Sequence, residues 1–211
     1  MAKSRIVYGI GLNDADYQVR KCKIVGYKDD GRKIQKNIWT CPFYQVWMKM
    51  LERCYSDVFV ARYPSYKGCY VVAEWHSFMG FRSWMIGQDW VGKQLDKDLI
   101  ANGNKEYGPD TCVFVTKQVN VFVTDSAAAR GPYPIGVTFN KVSKKFQAKC
   151  CDGQGKILHL GHFDTPESAH EAWRSRKKEI AHLLASKEKD PRISQALLNR
   201  YSRTANPEVK S

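Results

Sequence analysis

Ile135-Gly136-Val137-Thr138-Phe139-Asn140, then Lys145-Phe146-Gln147-Ala148-Lys149-Cys150, then Ile157-Leu158-His159-Leu160-Gly161 each alternate apolar with polar residues. Asn140–Lys144 and Asp152-Gly153-Gln154-Gly155 between them are turn material. A side-chain period of two with short polar breaks predicts a three-stranded antiparallel meander. Val137, Phe139, Phe146, Ala148, Cys150, Leu158 and Leu160 then fall on one face, and Thr138, Asn140, Lys145, Gln147, Lys149 and His159 on the other. The apolar face needs a cover, and the next segment supplies one. Thr165 is a good N-cap, Pro166 suits the first helical position and Glu167 favours the first turn. The helix predicted from there runs to about Ala185. Ala169, Ala172, Trp173, Ile180, Leu183 and Leu184 form its apolar stripe, with Arg174, Lys177 and Lys178 around the exposed side.

Upstream, the pattern changes. Residues 1–40 read as a basic arm with a hairpin turn at Lys28-Asp29-Asp30-Gly31-Arg32-Lys33 and room for a short strand pair. From Pro42, the spacing of Phe43, Val46, Trp47, Met50, Leu51 and Cys54 predicts a helix with one apolar face. A short strand at Cys69–Val72 and a second helical stretch from about Glu74, carrying Trp75, Phe78, Phe81 and Met85, complete a small core. Residues 92–123 read as strand, loop, strand, helix: a strand ending at Gln94-Leu95-Asp96-Lys97, a Gly/Asn-rich loop, a strand at Cys112–Val115, and a helix capped by Thr116.

The chain has 211 residues with 34 Lys+Arg against 21 Asp+Glu, a formal net charge of +13. The excess is uneven. Residues 1–40 hold nine basic against four acidic side chains, residues 41–129 nine against nine, residues 130–190 twelve against seven, and residues 191–211 four against one. Basic flanks around a neutral middle point to a polyanion, with nucleic acid first, held largely through counterion release. Seven scattered cysteines without a CxxC pair exclude a readable disulfide framework or zinc knuckle. His159 and His162 have no ligand partner at metal spacing. No apolar run is long enough to span a bilayer and the start lacks a signal core, which predicts a cytoplasmic protein without a membrane partner.

Two resemblances sharpen this. Trp47–Cys54, Tyr66-Lys67-Gly68-Cys69, Glu74-Trp75, Leu95-Asp96-Lys97-Asp98, Gly103-Asn104-Lys105, Tyr107 and Cys112–Val115 up to Asn120 resemble phage-encoded HNH-type homing endonucleases. In that family the strand–loop–strand–helix unit is a ββα-metal nuclease motif. The resemblance implies that Asp96 on the first strand and Asn120 on the helix hold one Mg²⁺ (or Mn²⁺), hard-cation chemistry that suits oxygen donors. The residue after the strand ligand is the general-base His in that family. Here it is Lys97, a poor base, expected instead to touch the scissile phosphate region, with His76, Asp98 or Tyr107 left as candidates to activate water. Gly136-Val137, Phe146-Gln147-Ala148, Leu160–Thr165 and Ala169…Ala172-Trp173 resemble the ethylene-response-factor (Apetala-type) DNA-binding domain, whose exposed sheet face enters the major groove. That resemblance implies DNA contacts at Thr138, Asn140, Lys145, Gln147, Lys149 and His159. The local excess of positive charge then assigns Lys141, Lys144, Lys145, Lys149 and Arg130 to phosphate or to positioning the sheet, with Gln147 or Asn140 on an adenine edge.

The expected fold class is α+β: a small ββα-metal nuclease-like core followed by a three-stranded antiparallel sheet packed on one helix. The expected organisation is a basic arm at 1–40, an HNH-like core at 41–129, an ethylene-response-factor-like domain at 130–190 and a basic tail at 191–211. The expected function is metal-dependent cleavage of double-stranded DNA, catalytic residues Asp96, Lys97 and Asn120. The alternative is a catalytically silent DNA-binding or regulatory protein, which Lys97 favours.

Overall fold

The computed structural model describes residues 5–124 and 131–202. Its strands are β1 (Arg5–Val7), β2 (Gly11–Asn13), β3 (Arg20–Tyr27), β4 (Lys33–Thr40), β5 (Tyr70–Val71), β6 (Gln94–Asp96), β7 (Glu106–Tyr107), β8 (Val113–Val115), β9 (Val137–Asn140), β10 (Lys145–Cys151) and β11 (Ile157–Phe163). Its helices are α1 (Pro42–Tyr55), α2 (Asp57–Arg62), α3 (Phe78–Ile86), α4 (Lys117–Val123), α5 (Pro166–Ala185) and α6 (Pro191–Ser202). The fold is α+β. β6 pairs with β8, and Thr116 then opens α4 with its hydroxyl accepting from the Val119 N–H, so the predicted strand–loop–strand–helix order is present. Among the described residues no helix is long and apolar enough to cross a membrane.

The chain forms two compact units. One comprises the chain up to Val91 with Ala101–Phe114; the other comprises Gly92–Ile100 with the chain from Val115 onward. In the first unit, α1 buries Tyr44, Trp47, Met50 and Leu51, and Trp75, Phe78, Phe81 and Met85 are buried with them. The Trp47 indole N–H donates to the Trp75 carbonyl at 2.7 Å, so the largest side chain of this core also pays its polar debt inside it. The helix expected from Glu74 is interrupted. Ala73–His76 is a 3-10 turn and Ser77 caps α3, its hydroxyl accepting from Gly80 N–H. β5 pairs in parallel with β7, a pairing that no local pattern announced. The basic arm contains two antiparallel pairs, β1–β2 and β3–β4.

In the second unit, β9–β11 form the predicted antiparallel sheet in the order β11-β10-β9. Val137, Ala148 and Ala169 make its core, with Tyr133, Phe146, Leu160, Phe163 and Ala172 packed around them. Thr165 caps α5 as expected, its hydroxyl accepting from Ser168 N–H at 3.2 Å. Gly136 adopts a left-handed φ of +83°, and a Cβ there would collide with the Trp173 ring, so glycine lets the indole lie against the backbone before β9. Phe139, expected under the helix, is 40% exposed, and Leu183, expected on the stripe, is 62% exposed. The basic tail continues as α6, which buries Ile193 and Leu197.

The largest departure concerns Lys177, expected on the exposed side of α5 and found 5% exposed. Its ammonium lies 3.8 Å from the centroid of the Phe122 ring, 5.6 Å from Tyr201 and 5.8 Å from Trp173. It donates to the Phe122 carbonyl at 2.6 Å. Burying a cation is costly unless hydrogen bonds and π faces replace its water, and here both do. We expect Lys177→Ala to lower the stability of this unit by roughly 2–4 kcal/mol, because it removes a buried charge-assisted contact and leaves a cavity. The exposed neighbour substitution Lys178→Ala should stay within about 0.5 kcal/mol of the parent. Urea unfolding followed by circular dichroism measures both; equal midpoints would show that the enclosure contributes nothing.

Candidate nucleic-acid interface and metal centre

The sheet residues singled out for DNA contact lie together. Register places Thr138 opposite Gln147 and Asn140 opposite Lys145 across β9–β10, and Lys149 opposite His159 across β10–β11. Thr138, Lys145, Lys149 and His159 are exposed, and Asn140 and Gln147 are half-buried. Alternation therefore separates this face from the one that packs on α5. Lys141 and Lys144 are exposed in the β9–β10 turn. Arg130 lies outside the described residues.

Two details depart from simple alternation. The register of β11 shifts between Ala148 and Lys149, so that Gly161 pairs with Ala148 and His162 with Gln147. Leu160 becomes the extra residue of a bulge, and His162 joins His159 on the exposed face, their ring centroids 5.0 Å apart. His162 was missed because period two carries it to the covered side; Gly161, inside a strand pattern, was the signal for a bulge. Asn140 is also partly committed. Its side-chain oxygen accepts from Val142 N–H at 2.9 Å and Ser143 N–H at 3.1 Å. Its amide can donate outward but cannot offer the donor–acceptor pair that adenine needs, which leaves Gln147 as the candidate for that contact.

Lys145 sits 3.0 Å from Asp164 across an exposed ion pair, a contact weak enough in water to yield to a phosphate.

The second set of residues gathers around β6. Asn120 donates from Nδ2 to Gln94 Oε1 at 2.6 Å. Gln94 and Asp96, two apart on one strand, face the same side, so α4 brings Asn120 to the side of β6 that carries Asp96. Gln94 had not been singled out; only its place two residues before Asp96 marks it. Asp96 Oδ1 accepts from Asp98 N–H at 2.9 Å and Leu99 N–H at 2.7 Å. Burial pushes the Asp96 carboxyl above the ordinary carboxylate range, against those two backbone bonds and Lys97, which pull it down. A half-buried acid of this kind gains from a cation at its other oxygen, and a carboxylate with an amide oxygen is a hard donor set that suits Mg²⁺. Among the described residues no group of three or more His, Cys, Asp or Glu side chains could hold a metal, so such a cation would rely on water and substrate oxygens for its remaining ligands.

Lys97 is not aimed at solvent. It is 4% exposed, and its ammonium bonds Asp98 Oδ1 at 2.6 Å, which differs from the expected contact with substrate phosphate. Of the residues considered for activating water, the His76 ring nitrogen Nε2 sits 2.9 Å from the Val71 carbonyl, a bracing role within its own unit. Tyr107 is buried, and burial raises its phenol far above neutrality. Asp98 keeps half of its side chain in water beside Lys97. Asn104 braces its loop, its amide donating to the Glu106 carbonyl and its oxygen accepting from the Glu106 N–H.

These bonds predict a distinct pair of variants. Asp96→Asn retains an oxygen for both amides and removes a half-buried charge, so at neutral pH it should unfold at the same urea concentration as the parent or higher. Asp96→Ala strands the amides and should cost roughly 1–3 kcal/mol. Because the native state holds the Asp96 proton more tightly than the unfolded chain, the parent should gain on Asp96→Asn as pH falls from neutral toward the ordinary carboxylate value, and the gap should close there. A gap independent of pH would mean the carboxyl is not shielded from water.

Set against models of protein families, curated proteins and solved structures, the chain matches none of them. Its function therefore rests on the chemistry of these residues.

Proposed function

We propose that this protein binds duplex DNA through the exposed face of β9–β11, and that it is a metal-dependent endonuclease of the HNH class with Asp96 and Asn120 as the ligands of one Mg²⁺ or Mn²⁺. The observation that carries the reading is the gathering of Thr138, Gln147, Lys149, His159 and Lys145 on one open face of a sheet whose other face is covered by α5. Lys145 and Lys149 on the central strand β10 would neutralise phosphates while Thr138, Gln147 and His159 beside them meet base edges, a division of labour that separates holding from reading. The reading is supported at β6 by the hydrogen bond from Asn120 to Gln94, which orients the amide on the strand that carries Asp96. A divalent cation held there would stabilise charge on the leaving oxygen of a phosphodiester. Asp96 supplies a carboxylate fixed by two backbone amides, and Asn120 supplies its carbonyl oxygen, since Nδ2 is already spent on Gln94. The general base is unassigned.

One observation favours a second reading, a hydrolytically silent DNA-binding protein. Lys97 stands at the position of the family's base histidine and is buried against Asp98, so no imidazole is available there to act as the general base.

Conversion of supercoiled plasmid by the parent, Asp96→Asn and Asn120→Ala in the presence of Mg²⁺ tests the proposal. The parent should nick or linearise the plasmid, and each variant should lose about 100-fold in rate while still binding duplex. Equal cleavage by all three would remove both residues from the ligand set. Inactivity of the parent, with activity gained on Lys97→His, would establish the silent reading. Lys145→Gln with Lys149→Gln should reduce the slope of log affinity against log salt by about 1.8; an unchanged slope would take the sheet out of the interface.

A further inference from the structure

β3 and β4 are eight residues each, and as a two-stranded ribbon they are open to solvent on both faces: every residue from Lys21 to Val25 and from Lys33 to Trp39 is exposed. A free-standing pair of strands has little core of its own, and isolated hairpins are marginal in water. This one carries charge instead. Residues 20–40 hold seven basic side chains (Arg20, Lys21, Lys23, Lys28, Arg32, Lys33, Lys36) and two acidic ones. Of the two, Asp30 is already paired with Arg32 at the tip.

Register sharpens the point. Lys23 lies directly opposite Lys36, and Lys21 opposite Trp39, with the Lys21 ammonium 5.6 Å from the centre of the indole. Alternation puts Lys21 and Lys23 on one face of β3, and their cross-strand partners Trp39 and Lys36 share it because the bulge at Ile38 absorbs their odd spacing. Two lysines opposite each other destabilise a ladder, and the cost is relieved when an anion lies between them. The register also shifts twice, leaving Ile38 and Val25 as extra residues. Bulges of this kind increase the right-handed twist of a ribbon and spoil it as an edge for strand addition, as do lysines along it. The feature therefore fits a polyanion better than a protein strand. Among polyanions, the B-form major groove admits a two-stranded ribbon, whereas the major groove of A-form RNA is too narrow for side chains to read.

We infer that the β3–β4 ribbon is a second duplex-DNA contact of this protein, lying along the major groove with Lys21, Lys23 and Lys36 on backbone phosphates. The inference deepens the DNA-binding reading but stands on the other compact unit, so each can fail without the other.

Fluorescence anisotropy of a labelled random-sequence duplex across a salt series, using the full chain, separates them. The triple variant Lys21→Gln, Lys23→Gln, Lys36→Gln should lower the salt slope by about 2.7 and weaken binding at least about tenfold at low salt. A control triple, Lys49→Gln, Arg62→Gln and Lys67→Gln, removes the same formal charge from exposed positions elsewhere in the same unit and should leave the slope near that of the parent. Far-ultraviolet circular dichroism and the melting temperature check that both triples fold as the parent does. A ribbon triple that keeps the parent slope, or a control triple that loses as much, overturns the inference. Loss in the ribbon triple with none in Lys145→Gln/Lys149→Gln leaves the ribbon standing and overturns the sheet; the converse result does the reverse. No duplex binding by the parent overturns both. A-form duplex RNA of the same sequence that binds as tightly, and loses as much on the ribbon substitutions, overturns the assignment to the major groove.

Discussion

The second compact unit turns on one buried cation. α4 spans only Lys117–Val123, too short to persist by helix propensity, so its geometry comes from what it docks against. Its last carbonyls are the groups an isolated helix leaves unpaired. The Lys177 ammonium bonds the Phe122 carbonyl, the Tyr201 hydroxyl approaches the same oxygen at 3.5 Å, and Arg200 donates to the Val123 carbonyl at 2.9 Å. Positive charge at a helix C-terminus is also favourable to the helix dipole. Lys177 comes from α5 and Arg200 and Tyr201 from α6, so one polar cluster under aromatic rings fixes three helices. Asn120 rides on the helix so fixed, and its hold on Gln94 is a consequence.

Trp173 extends the same constraint to the sheet. Its indole forms one wall of the Lys177 enclosure and lies against the backbone at Gly136, the residue before β9. A side chain at Gly136 would push the ring away, and the displaced ring would disturb both the lysine and the covered face of the sheet. At the other end of the unit Gly153, in the β10–β11 turn, approaches α4 so closely that a Cβ would press on the Gln118 carbonyl. Interiors packed at crystal-like density transmit such displacements. The exposed sheet face and the helix that carries Asn120 thus both rest on the packing around Trp173 and Lys177.

What the sequence disclosed follows from the range of the forces involved. The meander, the cap at Thr165 and the helix behind it are written in neighbouring residues, as are Pro42 at the head of α1 and Thr116 at the head of α4. The bulge in β11 needed Gly161 to be read as a break in alternation rather than as the end of a strand. The parallel pairing of β5 with β7 joins segments 36 residues apart, Tyr70 to Glu106, and no periodicity encodes it. Lys177 was misplaced for a related reason. A lysine between Arg176 and Lys178 reads as solvated surface, and its burial depends on Phe122, 55 residues upstream, and on Tyr201 in a segment that looked like tail. At the candidate metal centre Asp96 and Asn120 were legible only through resemblance, and Gln94, which connects them to one strand face, carried no signal of its own.

The lysines also show why net charge is a blunt guide to partners. Lys97 and Lys177 count toward the formal +13 yet are both buried and bonded inside the second unit, where they stabilise the fold and attract nothing from solvent. Lys21, Lys23 and Lys36 on the ribbon and Lys145 and Lys149 on the sheet are exposed, and only charges in that position release counterions from a nucleic acid. The two groups differ in what surrounds them rather than in their chemistry. Aromatic rings and a helix end substitute for water around Lys177; the ribbon lysines that face one another, Lys23 and Lys36, are exposed. A cation already solvated by protein has little to gain from a phosphate, whereas opposed lysines on an open strand pair gain twice, by attraction to the anion and by relief of their own repulsion. The charge that counts toward a polyanionic partner is accordingly the charge that folding leaves exposed.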